Sequence, residues 1–268
     1  MALQDIADRS GGTRATGTSG YVASVRHVTE TLLAAGYAPQ LEPFTRDGIS
    51  GTNVLAERAG IEGADVVVIG AHLDSVLAGP GINDNGSGVA VLMVLAEALA
   101  GLPAPQHTIR FAFWDAEEGG PIGSAANVAA LPQAERSRIV AYLNLDMVGS
   151  PNPVRFVYEE ATAAPGSAAL TDAFVAAFEA AGVAWDPIDL EGDSDHGPFT
   201  AASIPTGGIF SGGIEVVTPD QAARHGATAG APSDACSHQA CDTLDNTDPE
   251  VAAGMARIVA AVIVQLST

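Results

Sequence analysis

A chain of 268 residues carrying a formal charge of −21, with 11 basic residues that are all arginine, excludes several chemistries at once. Without lysine there is no Schiff base, no Walker loop and no Ser-Lys dyad. So acidic a surface also repels phosphate backbones and anionic headgroups, which removes nucleic acid and membranes from the expected partners.

The length suffices for one large domain around a two-sided sheet, so residues 1–268 are expected to form a single domain. Strand-like runs alternate with helical ones, which favours an α/β fold of three αβα layers: a central mixed, mostly parallel sheet flanked by helices. No apolar run reaches membrane-spanning length; Ile258 to Val264 is too short and follows Arg257. Met1 leads straight into Leu3-Gln4-Asp5-Ile6 with no signal peptide, which fits a cytoplasmic protein or a mature exported one.

In chain order, Ser19 caps a helix to about Ala35, with Tyr21, Val22, Val25, Val28, Leu32 and Leu33 turned inward and Gly36 ending it. Gln40 to Phe44 and Asn53 to Glu57 read as a hairpin-like edge. Asp65-Val66-Val67-Val68-Ile69 is a β-branched run too short for a helix, hence a buried strand ending at Gly70. It delivers His72 and Asp74 to the carboxyl edge of the sheet, where α/β folds bind ligands. A Gly/Pro-rich loop then brings Asp84 just ahead of a helix covering Val89 to Leu99. His72 and Asp84 are metal-ligand types, and Asp74 is placed to hold the His72 imidazole in one tautomer. A His with an Asp two residues on is equally at home as a surface pair.

Thr108 to Trp114 is the next strand and hands Asp115-Ala116-Glu117-Glu118 to the same edge. Neighbouring side chains on a regular strand face opposite ways, so both glutamates reach one cleft only if the backbone turns, for which Gly119-Gly120-Pro121 is available. Otherwise they are two solvated acids in a loop. Ile139 to Leu145 is a third such strand, followed by Asp146. Val154 to Tyr158, a helix over 168–181, a polar loop over 193–199 opening a short helix, and a strand over 204–210 come next. Cys236-Ser237-His238-Gln239-Ala240-Cys241 presents a histidine inside a cysteine bracket, either a disulfide worth about 2 kcal/mol on loop entropy or two reduced thiols. A disulfide suits an exported protein, and secretion is therefore expected. Asp248 caps the last helix with Pro249 at its first position and Val251, Met255, Ile258, Val259, Val262 and Leu266 on its core face.

Collected, His72, Asp84, Glu117, Glu118, Asp146 and His238 are the ligand set of a zinc pair, one carboxylate bridging two ions about 3.5–4 Å apart. Three ligand carboxylates and a hydroxide balance two Zn²⁺ ions, which a partly buried cleft tolerates.

The strings Ala71-His72-Leu73-Asp74, Gly81-Ile82-Asn83-Asp84-Asn85-Gly86-Ser87-Gly88, Ala116-Glu117-Glu118, Asn144-Leu145-Asp146-Met147, Ser194-Asp195-His196-Gly197-Pro198-Phe199 and Cys236-Ser237-His238 resemble, in order, the motifs of the M28 zinc aminopeptidases, the secreted Streptomyces type in particular. The resemblance spans about Gly17 to Asp242. It implies that Asp84 bridges two zincs, that His72 and Asp146 complete one site, and that Glu118 and His238 complete the other. Glu117 is then the general base, and the substrate is a peptide with a free N-terminus. The family's pocket for the first side chain maps to Met147, Tyr158 and Phe210, implying bulky apolar residues; core packing of these three is the alternative.

Two departures stand out. Where those relatives have an oxyanion-supporting tyrosine before the last histidine, this chain has Ser237, and losing one such donor costs about 10²–10³ in turnover. The loop Glu191-Gly192-Asp193-Ser194 is shorter and lacks their arginine. Asp5-Ile6 resembles their calcium-binding start without its C-terminal acids, which leaves calcium open as a further cofactor. A zinc glutaminyl cyclase of the same fold and a catalytically weakened peptide-binding relative are the alternatives; a monomer is expected.

Overall fold

The computed structural model describes residues 2–61, 63, 65–159 and 161–266. In chain order these form α1 (Ala2–Arg9), α2 (Ser19–Ala34), β1 (Gln40–Arg46), β2 (Ile49–Arg58), β3 (Val66–His72), α3 (Gly86–Ala100), β4 (Thr108–Trp114), α4 (Ile122–Ala130) and α5 (Gln133–Arg136). There follow β5 (Ile139–Leu145), β6 (Phe156–Tyr158), α6 (Ser167–Ala181), β7 (Asp186–Ile188), α7 (Gly197–Ala201), β8 (Thr206–Phe210), α8 (Pro219–His225) and α9 (Pro249–Leu266).

The strands make one eight-stranded sheet in the order β1-β2-β4-β3-β5-β8-β6-β7. Its centre, β4-β3-β5-β8, is parallel; β2 and β6 flank it antiparallel, β1 pairs antiparallel with β2, and β7 pairs parallel with β6. The period of two along the central strands sends apolar side chains to both faces. Val67, Ile69 and Ala71 of β3 pack with Phe111, Leu143, Val28, Leu92, Phe174 and Val259, so α2, α3, α6 and α9 cover one face. Val66 and Val68 pack instead with Trp114, Tyr142, Val128 and Phe199, so α4 and α7 cover the other. This is the three-layer α/β fold expected from the alternation of runs, with its parallel strands buried on both sides.

Several details depart from the pattern. The edge hairpin turns at Asp47 (φ +51°) and Gly48 (φ +81°), two left-handed residues in a row as a tight two-residue turn requires, and its strands are longer than expected. Thr18, not Ser19, caps α2, its hydroxyl accepting the Tyr21 N–H at 3.2 Å. Val22 and Leu33 face solvent at 67% and 56% exposure, because Tyr21, Val28 and Leu32 already define the inward stripe and each residue advances about 100°. β6 begins at Phe156, after Pro153. In α9, Asp248 Oδ1 accepts the Glu250 and Val251 N–H groups as a cap, and Ile263 is buried where Leu266 is only partly covered. α1, α4 and α8 were not anticipated, since each is short and rich in alanine or polar residues.

Candidate metal centre

Strand register brings the candidate residues together. His72 at the end of β3 lies beside Trp114 at the end of β4, and Gly70 lies beside Asn144 of β5. Asp115 to Glu118 and Asp146 therefore emerge from the same sheet edge as His72. The turn that admits both glutamates comes earlier than the glycines: Ala116 itself is left-handed at φ +61°, and the Gly120 N–H returns to the Glu117 carbonyl at 2.7 Å. Met147 (φ +46°) and His238 (φ +58°) are left-handed too. A non-glycine residue in that region costs on the order of 1–2 kcal/mol, and such strain gathers where side chains must be aimed.

Two groups of side chains meet at Asp84. His72 Nε2 lies 3.2 Å from Asp84 Oδ1 and 3.3 Å from Asp146 Oδ1. His238 Nε2 lies 3.1 Å from Asp84 Oδ2 and 3.1 Å from Glu118 Oε2. The two oxygens of one carboxylate thus face separate His-plus-acid pairs, and within each group the ligand atoms fall within 4.8 Å of one another. Glu117 stands beside the first group, its Oε2 3.9 Å from His72 Nε2.

The donor chemistry fits cations. Glu118 Oε1 and Asp146 Oδ1 are buried and make no hydrogen bond among the described residues, a costly state that a bound ion relieves. Hydrogen bonds to Asp84 and Glu118 push the His238 imidazole up to about 11. Burial, with the fields of Asp146 and Asp195 added, drives the Glu117 carboxyl well above its usual range against the opposing pull of His72. A cluster that raises its own bases in this way carries excess negative charge in a poorly solvated place. Asp5 is exposed on α1 and belongs to neither group.

A shell of buried polar groups aims these side chains. The Asp74 carboxylate is 3.6 Å from His72 Nδ1 and also accepts the N–H groups of Glu117 and Glu118 at 3.1 and 3.3 Å, so it orients three candidates together. Asp242 accepts the N–H groups of Asn83 and Asp84 at 2.7 and 3.0 Å. A chain of donors from Trp114 through Tyr142, Asn144 and Ser194 ends on Asp146 Oδ2. Arg14, fully buried, donates to the carbonyls of Leu73, Pro80 and Gly81 and so ties the His72 and Asp84 arms to one guanidinium. Sequence reasoning missed Arg14, Asp234 and Asp242. The two acids flanking the cysteine bracket were the available signal.

Cys236 and Cys241 form a disulfide with Cα atoms 5.2 Å apart, closing the loop that carries His238. Asp234 accepts the Cys236 N–H at 2.8 Å and the Asn83 side-chain amide at 2.7 Å, lacing this loop to the Asp84 loop. The double variant Cys236→Ser/Cys241→Ser is expected to lose about 2 kcal/mol of stability through loop entropy, measured as a lower urea midpoint, with weaker zinc retention in a chelator competition.

A cleft of about 520 Å³ opens onto Asp84, Glu117, Glu118, Asp146 and His238 and is walled by Met147, Phe210 and Ser237. Tyr158 is not among its lining residues: its hydroxyl meets Asn144, its ring packs on His196, and it shares a buried apolar cluster with Phe210. Among the described residues no tyrosine lines the cleft.

The model of peptidase family M28 matches residues 53–263. Leupeptin-inactivating enzyme 1 of Streptomyces exfoliatus is 44% identical over 91% of this chain and 55% of its own length. A probable lipoprotein aminopeptidase of Mycobacterium tuberculosis is 44% identical over 73% of this chain and 41% of its own. The chain thus spans about half the length of these curated relatives. Among solved structures, a zinc aminopeptidase from Bacillus subtilis superposes with a TM-score of 0.68 at 27% identity, covering 82% of this chain and 51% of that one. A glutaminyl cyclase from Porphyromonas gingivalis gives 0.77 at 21% identity over 99% and 96% of the two chains, a likeness of fold alone.

Proposed function

Because the chain belongs to peptidase family M28, we propose that it is a zinc aminopeptidase, a hydrolase that removes the N-terminal residue from peptides. The observation that carries the reading is Asp84, whose two oxygens each face a separate His-plus-acid pair at 3.1–3.3 Å. We assign His72, Asp84 and Asp146 to one zinc and Asp84, Glu118 and His238 to a second. Zinc there supplies Lewis acidity, lowering the pKa of water towards neutrality and polarising the scissile carbonyl.

The chain's own residues do the rest. Glu117 takes the proton of the attacking water on its carboxylate and passes it to the leaving amine, a role suited to a base raised by burial. Asp74 holds the Glu117 backbone and the His72 ring in place. The acids of the rim pair with the substrate's α-ammonium, which selects chain ends over internal bonds. Met147 and Phe210 wall the space for the first side chain, so leucine-, methionine- or phenylalanine-like residues are the expected substrates. We read residues 1–268 as one domain, supported by the single sheet, and as exported, supported by the disulfide.

Release of leucine from Leu-p-nitroanilide is expected, abolished by a chelator and restored by added zinc. Activity undiminished in fully metal-stripped protein would overturn the assignment. Conversion of N-terminal glutamine to pyroglutamate with loss of ammonia would identify a cyclase instead, and peptide binding without release of amino acids a binding relative.

A further inference from the structure

The cleft wall holds two acids that neither the zinc groups nor proton transfer uses, Asp193 and Glu215, and of these Glu215 stands among the apolar wall residues. Glu215 lines the same cleft as Glu117 and His238, beside Met147, Phe210, Gly213 and Ile214. Glu215 is exposed, yet its position is fixed by hydrogen bonds. Its Oε2 accepts the Gly213 N–H at 2.7 Å, and its carbonyl accepts the Ser233 N–H at 3.0 Å. The Gly213 carbonyl in turn accepts the Asp234 N–H at 2.6 Å, so the segment is pinned to the strand of chain that leads into the disulfide loop.

Gly213 lets three unlike groups approach one another closely beside this carboxylate. A Cβ placed there would lie 3.3 Å from Glu215 Oε2, 3.4 Å from Phe210 Cζ and 3.7 Å from Met147 Sδ. A carboxylate oxygen, an aromatic edge and a thioether therefore converge within a few ångströms. No arginine lines the cleft among the described residues, and the chain has no lysine to supply a partner.

A purely apolar side chain in the cleft meets Met147 and Phe210 but leaves the carboxylate without a cationic partner, whereas an aliphatic stem tipped with a cation suits both kinds of wall. We propose that Glu215 is a specificity-determining residue and that the pocket formed by Met147, Phe210 and Gly213 accepts lysine or arginine as the released residue, in addition to apolar ones. The proposal rests on the aminopeptidase reading only for the word released; the subsite itself is testable by binding.

Zinc-loaded wild-type protein and Glu215→Gln are titrated calorimetrically with L-lysine and with L-norleucine, which differ only by the terminal ammonium, and assayed on Lys- and Leu-p-nitroanilide. Wild type is expected to bind lysine about two- to fivefold more tightly than norleucine, the margin of an exposed ion pair. High salt shrinks that margin, and Glu215→Gln removes it, lowering the Lys-to-Leu ratio of kcat/KM by a similar factor. Equal binding of the two amino acids by wild type, no binding of either, or an unchanged lysine preference in Glu215→Gln overturns the proposal. If the lysine preference is present and lost in the variant while no p-nitroanilide is cleaved by either protein, the subsite stands and the aminopeptidase reading falls.

Discussion

Glu117→Ala lowers kcat on Leu-p-nitroanilide by about 10²–10⁴, the usual contribution of a general base, while the zinc content after gel filtration equals that of wild type. The separation of the two effects follows from position. Glu117 Oε2 sits 3.9 Å from His72 Nε2, outside the short contacts of 3.1–3.3 Å that join the two groups at Asp84. Its neighbour Glu118 lies inside them, 3.1 Å from His238 Nε2, so Glu118→Ala is expected to lose metal first and activity as a consequence. A Glu117→Ala protein that had lost its zinc yet worked at a near-normal rate per bound ion would reverse the two assignments.

Arg14→Met destabilises the fold by no less than about 3 kcal/mol, read as a lower urea midpoint. Arg14 is wholly buried, yet its donors go to three backbone carbonyls and not to a carboxylate, so its removal orphans the carbonyls of Leu73, Pro80 and Gly81 together. Each buried acceptor left unpaired costs about 1–3 kcal/mol. Burial lowers the guanidinium pKa to about 10, while Asp74, Asp242, Glu118 and Asp84 act to raise it. Arg14 is thus the fixed cation behind an acidic cluster. Arg14→Lys keeps the charge but cannot reach three acceptors from one planar fork, so an intermediate loss is expected. An Arg14→Met protein as stable as wild type would show that the clamp does not hold the two arms.

The strands that carry the site were legible because their information is local. β4 and β5 run over Thr108–Trp114 and Ile139–Leu145 as their apolar runs dictate, and each is followed by acids that cannot remain in a strand buried on both faces. His72 and Asp146 come to one edge because parallel strands end together. The left-handed Ala116, by contrast, leaves no trace in composition, since alanine is ordinarily a helix former and only the bonds closed around it hold that conformation.

The same division explains the remainder. Val22 and Leu33 are apolar yet exposed, because which arc of α2 meets the sheet depends on how the helix is docked. The family resemblance implies Tyr158 in the pocket, whereas its hydroxyl is drawn to Asn144, a partner fixed by strand register. The approach of His238 to Asp84 spans more than half the chain and is held by Asp234, Asp242 and the disulfide. Nothing in the sequence around Arg14 marks it as buried, because its three carbonyl partners lie in another segment of the chain. By itself the sequence determined which residues are apolar, where strands end and which side chains can bind metal, because periodicity and residue chemistry act over a few positions. Only the tertiary structure decided which of them meet, because buried polar groups take their partners from whatever the folded chain sets opposite them.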